Sequence, residues 1–140
     1  MSKVFHRPMR VEFNHCDPAG IVFYPRYFEM ANATVENFFR GPLQLPFEEL
    51  MAAGRGVPTA SLKVDFHAPS RLGDLLDWQL RITRLGGASL GLDLQAWGAA
   101  DRIHRLTIMT TLVHVRLAGG PHPWPDDIRM RLAAFMESSR

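Results

Sequence analysis

The chain has 140 residues, 46% of them hydrophobic and 21% charged, which is typical of a globular domain and argues against disorder. The formal net charge is only +2, and no block of like charges is present, so a nucleic-acid partner is not indicated. The single cysteine, Cys16, excludes an internal disulfide, and no apolar segment resembles a signal peptide or a membrane span, so one soluble, cytoplasmic domain over residues 1–140 is expected.

The first half of the chain contains one strand pattern and one long helix pattern. Met9, Val11 and Phe13 alternate with polar residues, which predicts a strand over residues 9–13. Beyond Pro18 and Gly20, apolar residues recur at helical spacing as far as Phe39, and Gly41-Pro42 ends the pattern. A long helix with Pro25 in its first turn is therefore predicted, and a shorter helix follows over residues 47–53.

The second half is predicted to be mostly strands. Four segments alternate between apolar and polar residues: Pro58 to Phe66, Leu76 to Ile82, Leu90 to Ala96 and Ile103 to Leu117. The last segment is too long for one flat strand, so a bend or bulge is expected within it. Turns at Gly86-Gly87 and at residues 98–101 are typical of hairpins, and a terminal helix begins near Pro125. The predicted class is α+β, with the long helix packed across one face of an antiparallel sheet.

A carboxylate lies just before the long helix. Asp17 precedes Tyr24 by seven residues, and the start of a helix carries unpaired N–H groups and a partial positive charge that can hold an oxyanion. The nearest free donors are predicted to be the N–H groups of Phe23, Tyr24 and Arg26. The sequence Asp-Pro-Ala-Gly is also a common turn, so local spacing alone favours a turn-forming Asp17 over a catalytic one.

The wider pattern resembles a known family. The stretch FNHCDPAGIVFYPRYFEMANATVENFF looks like the opening signature of the hotdog-fold acyl-CoA thioesterases, most closely the 4-hydroxybenzoyl-CoA thioesterase branch. The stretch VDFHAPSRLGDLLDWQLRITRLGGASLGLDLQAW is similar to the family's second block, so the resemblance covers roughly residues 9–117. It implies the hotdog fold, an antiparallel sheet of about five strands wrapped around one long helix. It also implies an acyl-CoA substrate and a homodimer or homotetramer with shared active sites.

The resemblance also implies roles for individual residues. Asp17 matches the family's catalytic carboxylate, which acts as a nucleophile or as a general base for water. Tyr24 matches the position whose backbone N–H polarises the thioester carbonyl. Phe23 is expected to stack against the acyl group. Thr59 and Ser61, predicted by alternation to share one face of their strand, are candidates for lining the pocket, and an aromatic acyl group such as hydroxybenzoyl or benzoyl is favoured.

Two alternatives remain. The first is a thioesterase for short aliphatic acyl-CoA or for acyl groups on a carrier protein, because the turn Leu85-Gly86-Gly87-Ala88 lacks the basic cluster that helps to hold the CoA nucleotide in the related 4-hydroxybenzoyl-CoA enzyme. The second is a non-catalytic module that binds acyl-CoA. His15 is a weaker candidate to assist Asp17, and catalysis by Cys16 is rejected for lack of a partner pattern. The six histidines lack paired ligand spacing, so no metal and no cofactor are expected.

Overall fold

Two antiparallel sheets and three helices make up the computed structural model, which describes residues 3–136. In chain order the strands are β1 (Phe5–Arg10), β2 (Arg55–Gly56), β3 (Thr59–Phe66), β4 (Leu75–Leu85), β5 (Ser89–Gly98), β6 (His104–Val113), β7 (Val115–Arg116) and β8 (Gly120–Pro121). The helices are α1 (Pro25–Arg40), α2 (Phe47–Ala52) and α3 (Asp126–Met136). The main sheet has the order β1-β4-β5-β6-β3, and a small second sheet has the order β2-β7-β8.

Helix α1 buries its apolar side in the core that it forms with the main sheet. Its buried residues recur at spacings of three and four and are Tyr27, Met30, Ala31, Thr34, Val35, Phe38 and Phe39. Alternate residues of the central strands, including Trp78, Leu92 and Ile108, are fully buried in the same core. The predicted long helix and α+β arrangement are therefore confirmed.

The C-terminal part of the chain closes the core. The predicted bend between Ile103 and Leu117 is confirmed, because β6 ends at Val113 and β7 leaves the main sheet to pair with β2. The terminal helix predicted near Pro125 is α3, in which Ile128 and Leu132 are buried. No helix within residues 3–136 combines the length and the apolar character that crossing a membrane requires.

The first strand differs from its prediction. It runs over Phe5–Arg10 instead of residues 9–13, and Phe13 lies in a 3-10 turn with 84% of its surface exposed. β1 is an edge strand, where Pro8 is tolerated because only one side of the strand needs hydrogen bonds. Reciprocal hydrogen bonds between Glu12 and His15 then cap the turn and divert the chain. The alternation of apolar and polar residues alone could not show that the strand ends at Arg10.

The core packing predicts a large effect at Phe38. This side chain is fully buried, and its ring contacts those of Phe5, Phe39 and Phe135, with centroids 4.8–5.8 Å away. Phe38→Ala should lower the free energy of unfolding by about 3–5 kcal/mol, because it removes buried apolar surface and leaves a cavity. Phe13→Ala is the matched control and should change it by less than about 0.5 kcal/mol. Equilibrium unfolding in urea measures both, and equal losses would contradict the packing described.

Candidate active site

Asp17 lies in a tight hairpin between β1 and α1. Its N–H donates to the carbonyl of Ile21 (3.0 Å), and the N–H of Gly20 donates back to the carbonyl of Asp17 (3.0 Å). Gly20 has a φ of 79°, a left-handed conformation that favours glycine. The half-buried Asp17 carboxylate accepts the N–H of Ala19 at Oδ1 (2.9 Å), while Oδ2 has no hydrogen-bond donor among the described residues. One oxygen is anchored and the other is available.

The hairpin is attached to the segment that connects β3 to β4. The N–H of Val22 donates to the carbonyl of Ser70 (2.9 Å), and the N–H of Leu72 donates to the carbonyl of Gly20 (3.1 Å). The hydroxyl of Tyr27 on α1 donates to Oγ of Ser70 (2.8 Å). Burial raises the pKa of Tyr27, so this hydroxyl keeps its proton at neutral pH. The hairpin, the connection and the helix are thus joined at Ser70.

The start of α1 offers one unpaired backbone donor. The N–H of Phe23 donates to the carbonyl of His15 (2.9 Å), and that of Arg26 donates to the carbonyl of Phe23 (2.9 Å). Pro25, the first residue of the helix, has no N–H. The N–H of Tyr24 has no acceptor among residues 3–136. Of the three donors predicted at the helix mouth, Tyr24 alone is therefore available to a substrate carbonyl.

The neighbours of Asp17 in the chain have structural roles. Nδ1 of the buried His15 accepts the N–H of Glu12 (2.8 Å), which places the imidazole proton on Nε2, and within the described residues His15 makes no hydrogen bond to Asp17. Burial, followed by the charge of Asp17, raises the pKa of the Cys16 thiol, which favours the protonated and unreactive form. No group of three His, Cys, Asp or Glu side chains in residues 3–136 is placed to hold a metal ion.

A cavity of about 190 Å³ lies between α1 and the sheet. Its lining includes Phe28, one helical turn beyond Tyr24, and its wall is mostly apolar, with Asn32, Thr59 and Thr110 as polar members. The apolar lining comes from Phe28, Ala31, Val35, Phe47, Val57, Leu62, Leu94, Ile108 and Leu112. Small-molecule sites are usually apolar with a few polar groups, so this cavity suits an acyl group held near Tyr24.

Thr59 and Ser61 do not share a face. Thr59 lines the cavity together with Leu62, whereas Ser61 lies in a separate groove with Lys63 and Arg84. The register of β3 against β6 shifts between Thr59 and Ser61, and such a bulge breaks the alternation of side chains. The expectation that both residues point the same way is therefore wrong. The other polar residues of the cavity wall are Asn32 and Thr110, which the sequence did not predict.

Phe23 lies outside the cavity in a group of exposed aromatic rings. Its ring centroid is 5.6 Å from that of Tyr24, which in turn lies edge-on to Phe66 at 6.1 Å. Each of the three side chains is about half exposed. They form an apolar surface beside the helix mouth, at the end of β3, where a ligand or a second subunit could cover them.

A larger concavity lies elsewhere. It measures about 770 Å³ and lies on the outer face of the sheet, among polar side chains that hydrogen-bond to one another along β4. Nε2 of Gln79 donates to Asp77 (3.1 Å), and a guanidinium nitrogen of Arg81 donates to Gln79 (3.3 Å). None of Asp17, Tyr24, Phe23, Thr59 or Ser61 lines it. Of these five residues, only Thr59 lines the smaller cavity, which also includes Phe28 of α1, one turn beyond Tyr24.

An ion cluster around the buried Arg105 supports the connection that holds the hairpin. Arg105, only 4% exposed, donates to Asp74 (3.3 Å) and to Asp101 (2.9 Å). The hydrogen bond from Arg105 lowers the pKa of the Asp101 carboxyl. Asp74 also accepts the N–H of Arg71 (2.9 Å), next to Ser70. Asp101 is only four residues from Arg105, but Asp74 is 31 residues away, so no local motif could have revealed the link to the connection.

Comparison with known proteins agrees with this fold. Residues 11–132 match the family model of the thioesterase-like superfamily, and the chain belongs to that superfamily. The structure is similar to that of a 1,4-dihydroxy-2-naphthoyl-CoA thioesterase from Synechocystis, with a TM-score of 0.87 and 20% identity over 96% of this chain and 99% of that chain. The hotdog fold implied by the sequence resemblance is confirmed.

Two curated relatives match part of the chain. The acyl-CoA thioester hydrolase YbgC of Escherichia coli O6:H1 is 29% identical over 87 residues, which are 62% of this chain and 64% of the relative. The 4-hydroxybenzoyl-CoA thioesterase of Pseudomonas sp. strain CBS-3 is 30% identical over 78 residues, 54% of this chain and 55% of the relative. The match thus spans less than two thirds of the length of either relative.

The hairpin geometry predicts a specific cost at Gly20. A Cβ at this position would meet no atom within 4 Å, so Gly20→Ala tests the left-handed backbone alone. It should lower the free energy of unfolding by roughly 1–2 kcal/mol. Gly87→Ala is the matched control, because its Cβ would also meet nothing and its φ lies outside the left-handed region. Chemical denaturation of both variants measures this free energy. If Gly20→Ala unfolds with the same free energy as the unmodified protein, the left-handed backbone at Gly20 carries no such cost.

Proposed function

We propose that the protein hydrolyses acyl-CoA thioesters, with the Asp17 carboxylate and the Tyr24 N–H as its catalytic groups. The observation that carries this proposal is the pairing of two unused groups in one short segment. Oδ2 of Asp17 has no donor among the described residues, and seven residues later the Tyr24 N–H has no acceptor. A thioester carbonyl needs both an attacking oxygen or base and a donor for the oxyanion.

The chemistry has two routes that use the same groups. In the first, Oδ2 of Asp17 attacks the carbonyl carbon, the C–S bond breaks to release CoA thiolate, and water then hydrolyses the resulting anhydride. In the second, Asp17 takes a proton from water as the water attacks the carbonyl, and the tetrahedral intermediate expels the thiolate. The Tyr24 N–H donates to the oxyanion in both. Loss of one such donor typically costs roughly a hundred- to thousandfold in kcat.

The proposed substrates carry an aromatic acyl group, such as benzoyl or hydroxybenzoyl. Phe28 and Phe47 in the cavity wall can pack against a ring, and Asn32 can hydrogen-bond to a ring substituent. The name of the Pseudomonas relative supports the same class. Thr59 keeps its proposed contact with the acyl group as part of the wall. Phe23 and Ser61, outside the cavity, would meet substrate only at the surface.

We also propose that the protein forms a homodimer through β3. This strand is an edge of the main sheet, eight residues long, and nearly all of its residues are exposed. Leu62 and Phe66 on it are each about half exposed. A long edge strand with apolar side chains readily pairs with another strand. Pairing with a second copy would continue the sheet and cover the aromatic rings beside Tyr24.

The catalytic assignment predicts the loss of turnover in Asp17→Asn. Thiol release from a panel of aromatic and aliphatic acyl-CoAs should fall by at least about a hundredfold, because an amide can neither attack nor accept the proton from water. Asp93→Asn on the outer sheet face is the matched control and should retain activity, since Asp93 hydrogen-bonds only to Gln95 among the described residues. The acyl group turned over fastest names the substrate class.

Two outcomes of this panel would reject the proposal in different ways. Undiminished turnover by Asp17→Asn would remove the carboxylate from the mechanism. Binding of acyl-CoA by the unmodified protein without any thiol release would favour a non-catalytic binding module. Activity confined to aliphatic chains would keep the reaction and replace only the acyl group.

The dimer predicts an effect of charge at the centre of β3. Leu62→Glu should convert the dimer to monomer in sedimentation velocity, because a two-fold axis near the middle of β3 brings the two introduced carboxylates together. Met130→Glu, at an exposed position of α3, should leave the dimer intact. If the unmodified protein sediments as a monomer, or if both variants remain dimeric, the β3 interface is wrong.

A further inference from the structure

Two arginines face each other in the small second sheet. Arg55 of β2 pairs with Arg116 of β7. The N–H of Leu117 donates to the carbonyl of Gly54 (2.9 Å), which makes Gly54 and Leu117 a hydrogen-bonded pair. Antiparallel pairs alternate, so Arg55 and Arg116 form a non-hydrogen-bonded pair, in which directly opposite side chains lie closest and on the same face.

Neither guanidinium has a partner among the described residues. No carboxylate of residues 3–136 forms an ion pair with Arg55 or Arg116, and no carbonyl or hydroxyl accepts a hydrogen bond from either side chain. In contrast, Arg40 donates to Glu48 (2.6 Å), and Arg84 donates to Ser89 (2.8 Å). Like charges placed directly opposite each other destabilise a strand pair. An anion bound between the two guanidinium groups would relieve this repulsion.

We propose that Arg55 and Arg116 bind the phosphates at the end of the pantetheine arm of the substrate, an inference that rests on the proposed function. Because directly opposite side chains share one face, the two guanidinium forks can present several N–H donors to one phosphate, and such forks suit phosphate oxygens. In CoA and in phosphopantetheine thioesters, the phosphate lies at the end of the pantetheine arm opposite the acyl group. The pair also supplies the positive charge that the glycine turn between β4 and β5 lacks.

The proposed dimer brings this pair to the active site of the other subunit. The eight residues of β3 span roughly 26 Å, so Arg55 and Asp17 of one chain lie near opposite ends of the strand. In an antiparallel pairing of two β3 strands, Thr59 of one copy opposes Phe66 of the other. Arg55 precedes Thr59 by four residues and therefore extends past Phe66, toward the level of Ser70 in the other copy. That is the residue to which the Asp17 hairpin is attached.

The test compares substrates with and without phosphates. For the unmodified enzyme and the double variant Arg55→Gln/Arg116→Gln, kcat/KM is measured with benzoyl-CoA, benzoyl-phosphopantetheine and benzoyl-pantetheine, or with the acyl group preferred in the panel. The preference for benzoyl-CoA over benzoyl-pantetheine should fall roughly tenfold or more in the double variant, through KM, because hydrogen bonds to charged groups are lost. Arg84→Gln, the matched control, should keep the full preference.

Benzoyl-phosphopantetheine shows which phosphate the pair binds. If the preference for benzoyl-phosphopantetheine is lost as well, the pair binds the phosphate common to CoA and to carrier proteins. If only the preference for benzoyl-CoA is lost, the pair binds the nucleotide phosphates. Melting temperature is a further readout, because relief of repulsion should leave it unchanged or raised, whereas a purely structural pair would lower it.

Mixed dimers test whether the pair acts across the interface. Asp17→Asn subunits are combined with Arg55→Gln/Arg116→Gln subunits. If the arginines act on the site of the other subunit, each mixed dimer contains one fully intact site. It should then show about half of the activity of the unmodified dimer, with the unmodified KM for benzoyl-CoA. Action within one subunit leaves no intact site, and the low KM should not return, which would overturn the placement.

The outcomes separate this inference from the proposed function. If the unmodified protein cleaves neither benzoyl-pantetheine nor any acyl-CoA, the proposed function fails. If it cleaves both and the double variant keeps the full preference for benzoyl-CoA, the phosphate site alone is wrong. A fall of equal size for all three substrates would also overturn the phosphate site, because it would point to a general disturbance of the fold.

Discussion

The burial of α1 against the main sheet fixes the position of everything else in the site. Fully buried residues such as Phe38 and Phe39 each contribute roughly 1.5–3 kcal/mol when removed from water, so the helix cannot shift along the sheet without exposing them. Its first turn is therefore held at one end of the sheet. The unpaired N–H of Tyr24 lies at that end because the helix begins there, and residues of α1 and β3 line the proposed acyl cavity together.

The Asp17 hairpin depends on that helix through a small number of polar contacts. Ser70 receives one hydrogen bond from the hairpin and one from Tyr27, so the loop and the helix share a single anchor. Arg105 fixes the adjacent turn through Asp74, and its near-complete burial makes this ion pair costly to break. A carboxylate aimed at a substrate needs such rigid support, because small displacements of a catalytic group reduce the rate strongly.

Periodicity predicted the elements that bury one face, and it failed where the chain departs from a regular repeat. The long helix and the strands from β3 to β6 follow from alternation and helical spacing, because their apolar faces meet one core. The end of β1 and the bulge between Thr59 and Ser61 depend on individual hydrogen bonds, which periodicity does not encode. The same holds for the Tyr24 N–H, since its freedom follows from the pairing of Phe23 with His15, eight residues away.

Three features of the chain that lack partners lie along β3 or beyond its ends. The β3 edge lacks a neighbouring strand, the rings of Tyr24 and Phe66 are half exposed at one end of it, and the Arg55–Arg116 pair lacks an anion beyond the other end. Each feature taken alone costs stability. In the proposed dimer, a two-fold axis through the middle of β3 would bring opposite ends of two copies together. The arginines of one copy would then lie beside the aromatic rings and the helix mouth of the other. The groups that lack partners in one chain would thus complete the active site of the other chain in the proposed dimer.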